Sequence, residues 1–379
     1  MKQNHFFFIL ILAMSLTGCG LSAEQSATMT AMAWTPTPAP TATQDLIQLG
    51  SITEIDQYLS KMSSFGLFSG SVLIAHQGDV LLSQGYGLAD REQKLSNIPK
   101  TRFRIGSLTK QFTAMAILIL QVQGKLQVQD FICSYIADCP AAWEDITIHH
   151  LLTHTSGIGE IYLWKDYNRT KATPTSPEQL LARLRSLPMD FQPGERYSYS
   201  NSGYILLGYI IEQISGQSYE AFLQQAIFTP LNMHDTGVDH NINEVAVGYA
   251  DQYSTEPADF VDASTEHGAG ALYSTVEDLF LWDRALYTEQ LVPRAQLEQM
   301  FTPHVTIPNR GGATYGYGWR FMNEDGRPVI EHTGMINGFV SIITRYPEDQ
   351  IVIIILSNQQ DNRVDNIRGT ISKKLFGED

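Results

Sequence analysis

Two groups of alternating or continuous apolar runs stand at the ends of the chain, with helical periods between them. In the first group, Ser71-Val72-Leu73-Ile74-Ala75-His76 is followed by Gln77-Gly78-Asp79 and then by Val80-Leu81-Leu82-Ser83-Gln84-Gly85-Tyr86. Two strand-forming runs around a glycine-containing turn predict a hairpin over 69–89. The second group predicts strands over 315–322, 328–332, 338–346 and 351–356, with turns at Asn323-Glu324-Asp325-Gly326 and Pro347-Glu348-Asp349. Links this short favour antiparallel pairing. Helical spacing dominates between the groups, at 107–123, 180–187, 205–215 and 219–228. The expected architecture is therefore α/β of the α+β type. One antiparallel sheet is built from the N- and C-terminal segments and flanked by helices, with a mainly helical lobe inserted at about 126–265.

The first residues change the picture of where such a body works. Lys2 precedes an apolar stretch over 6–16 and the small residues Thr17 and Gly18, the layout of an export signal. Leu16-Thr17-Gly18-Cys19 resembles a lipobox, which implies removal of residues 1–18 and acylation of Cys19. Two or three acyl chains anchor stably where one is marginal. Residues 19–44 are rich in Ser, Ala, Thr and Pro and nearly free of charge, the composition of an extended spacer. The body, 45–379, is then expected in the bacterial cell envelope, outside the cytoplasm and tethered to a membrane by lipid. No apolar run reaches the roughly 18–20 residues that span a bilayer. With 40 acidic against 25 basic residues the net charge is -15, which repels phosphate backbones and excludes nucleic acid as a partner. Cys133 and Cys139 favour a disulfide in an exported chain, the alternatives being two free thiols or half of a metal site.

Three short segments carry candidate chemistry. Gly106-Ser107-Leu108-Thr109-Lys110 opens an apolar helix, so that Lys110 lies one turn from Ser107, within proton-exchange distance of its oxygen. Burial disfavours an ammonium, and a neutral lysine accepts a proton from a nucleophilic serine. Taken alone, the pair is also what an N-cap serine and a solvated lysine look like. Tyr199-Ser200-Asn201 offers a phenol that relays a proton and an amide that binds a substrate carbonyl, against a bland reading as a packing tyrosine and a turn asparagine. His332-Thr333-Gly334 closes a predicted strand, where Gly334 would let substrate approach the backbone. His150 and His154 stand four apart as in zinc helices, but Leu151 follows where a metalloprotease carries Glu. No Gly-x-Ser-x-Gly elbow is present, which argues against an α/β-hydrolase triad.

In order and spacing the three segments resemble the serine β-lactamase-related family of class C type, which includes D-alanyl-D-alanine carboxypeptidases and esterases. The likeness extends to Ile148-His149-His150-Leu151-Leu152-Thr153-His154-Thr155-Ser156-Gly157 and covers about 50–375. The resemblance implies that Ser107 is the acylated nucleophile, Lys110 its proton-transfer partner and Tyr199 the general base or relay. It further implies that Asn201, His332, Thr333 and Gly334 bind substrate and that the backbone N–H groups of Ser107 and Met335 form the oxyanion hole. No metal or cofactor is implied. The implied partner is a small-molecule or peptide substrate, cell-wall material among the candidates, while oligomeric state stays open. Pocket walls are expected from Tyr162-Leu163-Trp164 and from 249–260. His332 stands where efficient β-lactamases carry lysine; a neutral imidazole there would favour esters and D-amino-acid peptides over β-lactams. The competing reading is a penicillin-recognising or peptidoglycan-binding lipoprotein without turnover.

Overall fold

In the computed structural model, which describes residues 49–240 and 245–378, the two strand groups meet in one eight-stranded antiparallel sheet. Its strands are β1 (Gly70–His76), β2 (Asp79–Tyr86), β3 (Val305–Thr306), β4 (Thr314–Tyr315), β5 (Arg320–Glu324), β6 (Arg327–Ile336), β7 (Phe339–Tyr346) and β8 (Ile351–Ser357). They lie in the order β2-β1-β8-β7-β6-β5-β4-β3. The β1–β2 hairpin turns through Gln77 at φ 52° and Gly78 at φ 94°, the paired left-handed geometry that a tight hairpin needs. N-terminal β1 pairs with C-terminal β8 from Gly70 opposite Ser357 to His76 opposite Ile351, so both ends of the chain build the middle of one sheet. The signal peptide, Cys19 and the spacer lie outside the described residues.

The sheet separates two cores. β8 reads Ile-Val-Ile-Ile-Ile-Leu without alternation because both of its faces are covered. Val352, Ile354 and Leu356 face the helical lobe. Ile353 and Ile355 instead pack with Val72 and Ile74 against α1 (Leu49–Ser64) and, through Ile367 and Ile371, the last helix. That lobe is built around α3 (Asn201–Ser215) and packs on α2 (Thr109–Val122), which precedes the expected 126–265 insertion and is buried on every side from Thr109 to Leu120. The last helix, α4, spans Val364–Phe376. Among the described residues no helix is long and apolar enough to cross a membrane. Cys133 and Cys139 are joined in a disulfide with their Cα atoms 5.3 Å apart.

Three expected elements differ in extent, and each difference bears on the site. The strand expected over 315–322 is two strands, because Gly318 at φ 77° turns the chain and Gly316 N–H closes the turn on Trp319 O at 2.9 Å. The strand expected to stop at His332 continues to Ile336, since Thr333 to Ile336 pair across a tight turn with Phe339 to Ile342. His332 is thus mid-strand. Helix α3 begins at Asn201 rather than 205, because the Ser200 hydroxyl caps it by accepting the Gly203 N–H at 3.2 Å.

Candidate active site

Ser107 sits in a single 3-10 turn, Gly106–Leu108, that leads directly into α2. Two glycines dock this turn on the sheet. Beyond Glu331, β6 has lost its β5 partner, and its second edge faces the Ser107 turn. A Cβ on Gly334 would stand 2.0 Å from Ile105 O, and one on Gly106, at φ 50°, would stand 2.8 Å from Met335 N and O. Over the space left by Gly334, Ser341 of β7 donates its hydroxyl to Ile105 O at 2.9 Å. Gly334 therefore serves the approach of the nucleophile turn, where the sequence suggested an approach of substrate to the strand. The same docking brings the Ser107 and Met335 backbones to one side of the cleft, with Met335 62% exposed.

Lys110 is 0% exposed. Its Nζ stands 3.1 Å from Ser107 Oγ and donates to Asn201 Oδ1 at 2.8 Å and to Ala269 O at 2.9 Å. A neutral amine has two N–H bonds, and these two acceptors use both, which leaves the lone pair facing the serine hydroxyl. Burial pushes the amine down to about 7, opposed by Glu160 and Glu266, whose charges favour the ammonium. Glu160 is held beside Asn201, accepting its backbone N–H at 2.7 Å, and Glu266 accepts the hydroxyls of Tyr162 and, at 3.0 Å, Tyr167. Desolvation raises both carboxyls above their usual range. Tyr199 completes the group: its phenol is hydrogen-bonded to Ser107 and is pushed by burial up to about 12, so it holds its proton at neutral pH. The Lys110 ammonium position lies 4.9 Å from the Tyr199 ring centre.

A cleft of about 480 Å³ opens over these groups, walled by Ser107, Tyr162, Tyr199, Asn201, Arg320, Thr333, Gly334 and Met335 and by Gln360 to Asp365, the turn before α4 and the helix's first two residues. The expected walls are only partly those observed. Tyr162 faces the cleft, but Leu163 points to solvent at 83% exposure, and 249–260 borders a neighbouring groove with Asn337 and Gln360. His332 is the main correction. It is 0% exposed and does not line the cleft. Its Nδ1–H donates to Thr333 O at 2.7 Å, which leaves Nε2 to accept the Tyr315 hydroxyl at 2.9 Å. Burial holds this imidazole well below its ordinary pKa, so it is neutral and its hydrogen bonds are internal.

Of the two arginines on the cleft wall, Arg320 and Arg363, Arg320 is the one that donates to Thr333 Oγ1, at 3.0 Å. Sequence reasoning passed over it, although counting back through the Asp325-Gly326 turn pairs Arg320 with Glu331, two residues from Thr333. Glu160, Glu266 and the Ala269 carbonyl were also missed. They lie in loops and short turns whose approach to Lys110 has no local pattern.

The sequence pattern of the family described as Beta-lactamase matches residues 56–376. Penicillin-binding protein 4* of Bacillus subtilis is 32% identical over 315 residues, covering 78% of this chain and 69% of the relative. The octameric penicillin-binding protein homologue from Pyrococcus abyssi superposes with a TM-score of 0.77 at 29% identity, over 86% of this chain and 78% of that one. A D-stereospecific amidohydrolase from Streptomyces shares the fold, with a TM-score of 0.72 at 24% identity over 86% of this chain and 98% of that one. With the matched segment running from the first helix to the last and including the Ser107–Lys110 pair, the chain belongs to the beta-lactamase family and is a serine hydrolase.

Proposed function

We propose that this hydrolase forms an acyl-enzyme at Ser107 and acts on D-amino-acid peptides, or related amides and esters, that end in a free carboxylate. We further propose that it works in the bacterial cell envelope, outside the cytoplasm, held to a membrane by lipid on Cys19. The observation that carries the chemistry is the fully buried Lys110 amine, its two N–H bonds engaged and its Nζ 3.1 Å from Ser107 Oγ. In this reading the neutral amine takes the Ser107 proton as the oxygen attacks the carbonyl. Negative charge on the substrate oxygen is met by the Ser107 and Met335 N–H groups. Tyr199, still protonated, relays a proton from Lys110 to the departing nitrogen or oxygen. Water then enters by the reverse path and releases the acid. The Asn201 side chain holds Lys110 with its oxygen and borders the cleft where the acyl group would lie.

Substrate choice follows from the cleft wall. The expected disfavour toward carboxylates rested on His332, which does not reach substrate. Arg320 instead provides a permanent charge beside Thr333, suited to a terminal carboxylate. The name of the Bacillus subtilis relative supports the view that a β-lactam acylates the same serine as a mimic of such a peptide. Preference for the peptide over β-lactam hydrolysis remains the reading proposed.

A fluorophosphonate should add one adduct to the wild type and none to Ser107→Ala, read by intact mass. Labelling that survives the substitution rejects the nucleophile, and an unlabelled wild type favours the penicillin-recognising lipoprotein without turnover. Arg320→Gln should lower kcat/KM for a D-alanyl-D-alanine peptide by about 10- to 100-fold, the worth of one hydrogen bond to a charged group, while a neutral p-nitrophenyl ester changes by less than about 3-fold. Equal losses on both substrates remove the carboxylate role. With the neutral ester, kcat/KM should rise through a pH near that of the lysine, about 7, as the amine loses its proton, and then level off. Glu160→Gln removes a charge that favours the ammonium, so the midpoint should move to lower pH; a shift upward contradicts the assignment of Lys110 as base. Expressed in bacteria, the full chain should partition into detergent with acyl mass on its N-terminal peptide, and Cys19→Ser should partition into water. Recovery of Cys19→Ser with the same acyl mass rejects the tether.

A further inference from the structure

The two histidines that stand four apart serve different ends. His150 caps its own short helix, Ile148–Leu152: its Nδ1 accepts the Thr147 N–H and its N–H donates to Thr147 Oγ1, both at 3.2 Å. His154 lies beyond the helix end, 1% exposed, with its backbone left-handed at φ 60°. That conformation is uncommon outside Gly, although Asn, Asp and His adopt it more readily than other side chains. What it achieves is to turn two acceptors of one residue toward a single target. The His154 carbonyl accepts the Ser198 N–H at 2.9 Å, and the His154 Nδ1 accepts the Ser200 N–H at 3.0 Å. The residue between them is Tyr199. The imidazole also lies along the Tyr199 ring, centroids 4.4 Å apart and planes 36° from parallel, and Tyr315 packs edge-on against it at 4.7 Å.

Histidine is the side chain that these contacts require. With Nδ1 accepting, the ring proton is on Nε2, which has no hydrogen-bond partner among the described residues. Phenylalanine would supply the aromatic face without a buried N–H, yet could not accept from Ser200. Asparagine would accept and would tolerate the left-handed backbone, yet has no ring. Burial, reinforced by the charges of Lys110 and Arg320, keeps the imidazole neutral, so its acceptor stays available.

We infer that His154 is a positioning residue for Tyr199, fixing the peptide on both sides of it and the plane of its ring so that the phenol meets Ser107. This rests on the relay role proposed for Tyr199. The test is a double-mutant cycle on the full chain in detergent with the neutral ester, using wild type, His154→Phe, Tyr199→Phe and the double variant. Tyr199→Phe should lower kcat by about 100-fold or more, the scale of a lost general acid–base group. His154→Phe should lower kcat by about 10- to 100-fold with KM within about 3-fold, and should cost less than about 3-fold once Tyr199 is already Phe, as residues acting as one unit do. His154→Asn, which keeps the acceptor and suits the backbone, should lose only about 3- to 10-fold. A His154→Phe loss repeated in full beside Tyr199→Phe overturns the inference and leaves the relay role standing. A Tyr199→Phe enzyme with wild-type kcat overturns the relay role itself. If His154→Phe does not fold, His154→Asn takes its place in the cycle: a loss that vanishes beside Tyr199→Phe supports the inference, and a repeated loss or none overturns it.

Discussion

A lysine amine shut away from water sets the terms for everything around it. Left charged, Lys110 would carry a desolvation cost of several kcal/mol. Left neutral and unsupported, its N–H bonds would be buried donors without acceptors. The fold meets both demands with parts drawn from distant segments: the Asn201 side chain at the start of α3, the Ala269 carbonyl, and two carboxylates, Glu160 and Glu266, that act on the amine through space. Burial lowers the amine's affinity for protons and the carboxylates restore part of it. The opposition places the group where it can both take a proton and give one back near neutrality. The carboxylates are themselves raised by burial, so the same exclusion of water that lowers the lysine also limits how far they counter it.

How much of this could be read from the amino acids depended on whether a feature was local. The hairpin at 69–89, the apolar run at 351–356 and the antiparallel assembly were legible because alternation and turn chemistry are short-range signals. Ser107, Lys110, Tyr199 and Asn201 were legible as types at a spacing, and the structure gathers all four at one end of α2. Glu160 and Glu266 gave no signal, because nothing in the sequence near them says that their loops close over a lysine 50 and 156 residues away. His332 misled for a different reason. It was placed against the substrate as an exposed strand-end residue, whereas it is buried and Tyr315 and the Thr333 carbonyl take up both nitrogens inside the sheet.

The third segment consequently divides its work among neighbours. His332 braces the strand internally, Thr333 presents its hydroxyl to Arg320, and Gly334 leaves room for Ile105. Successive strand residues face opposite ways, so one buried position and one cleft position adjoin as a matter of pleat geometry. What looks like a single catalytic motif in the sequence is a cross-section through the sheet, from core to cleft.

The pairing of β1 with β8 has a kinetic side. Gly70 and Ser357 are neighbours in space but 287 residues apart in the chain, and β1 has β8 and β2 as its only partners in the sheet. Contacts of such separation carry a large loop-closure entropy before any packing rewards them, and topologies that depend on them fold slowly. Until the last strands are available, the N-terminal hairpin presents an apolar edge with no partner, and the nucleophile turn has no strand to dock on. Catalytic competence is therefore a late event in the life of each molecule, gained only when the end of the polypeptide returns to its beginning.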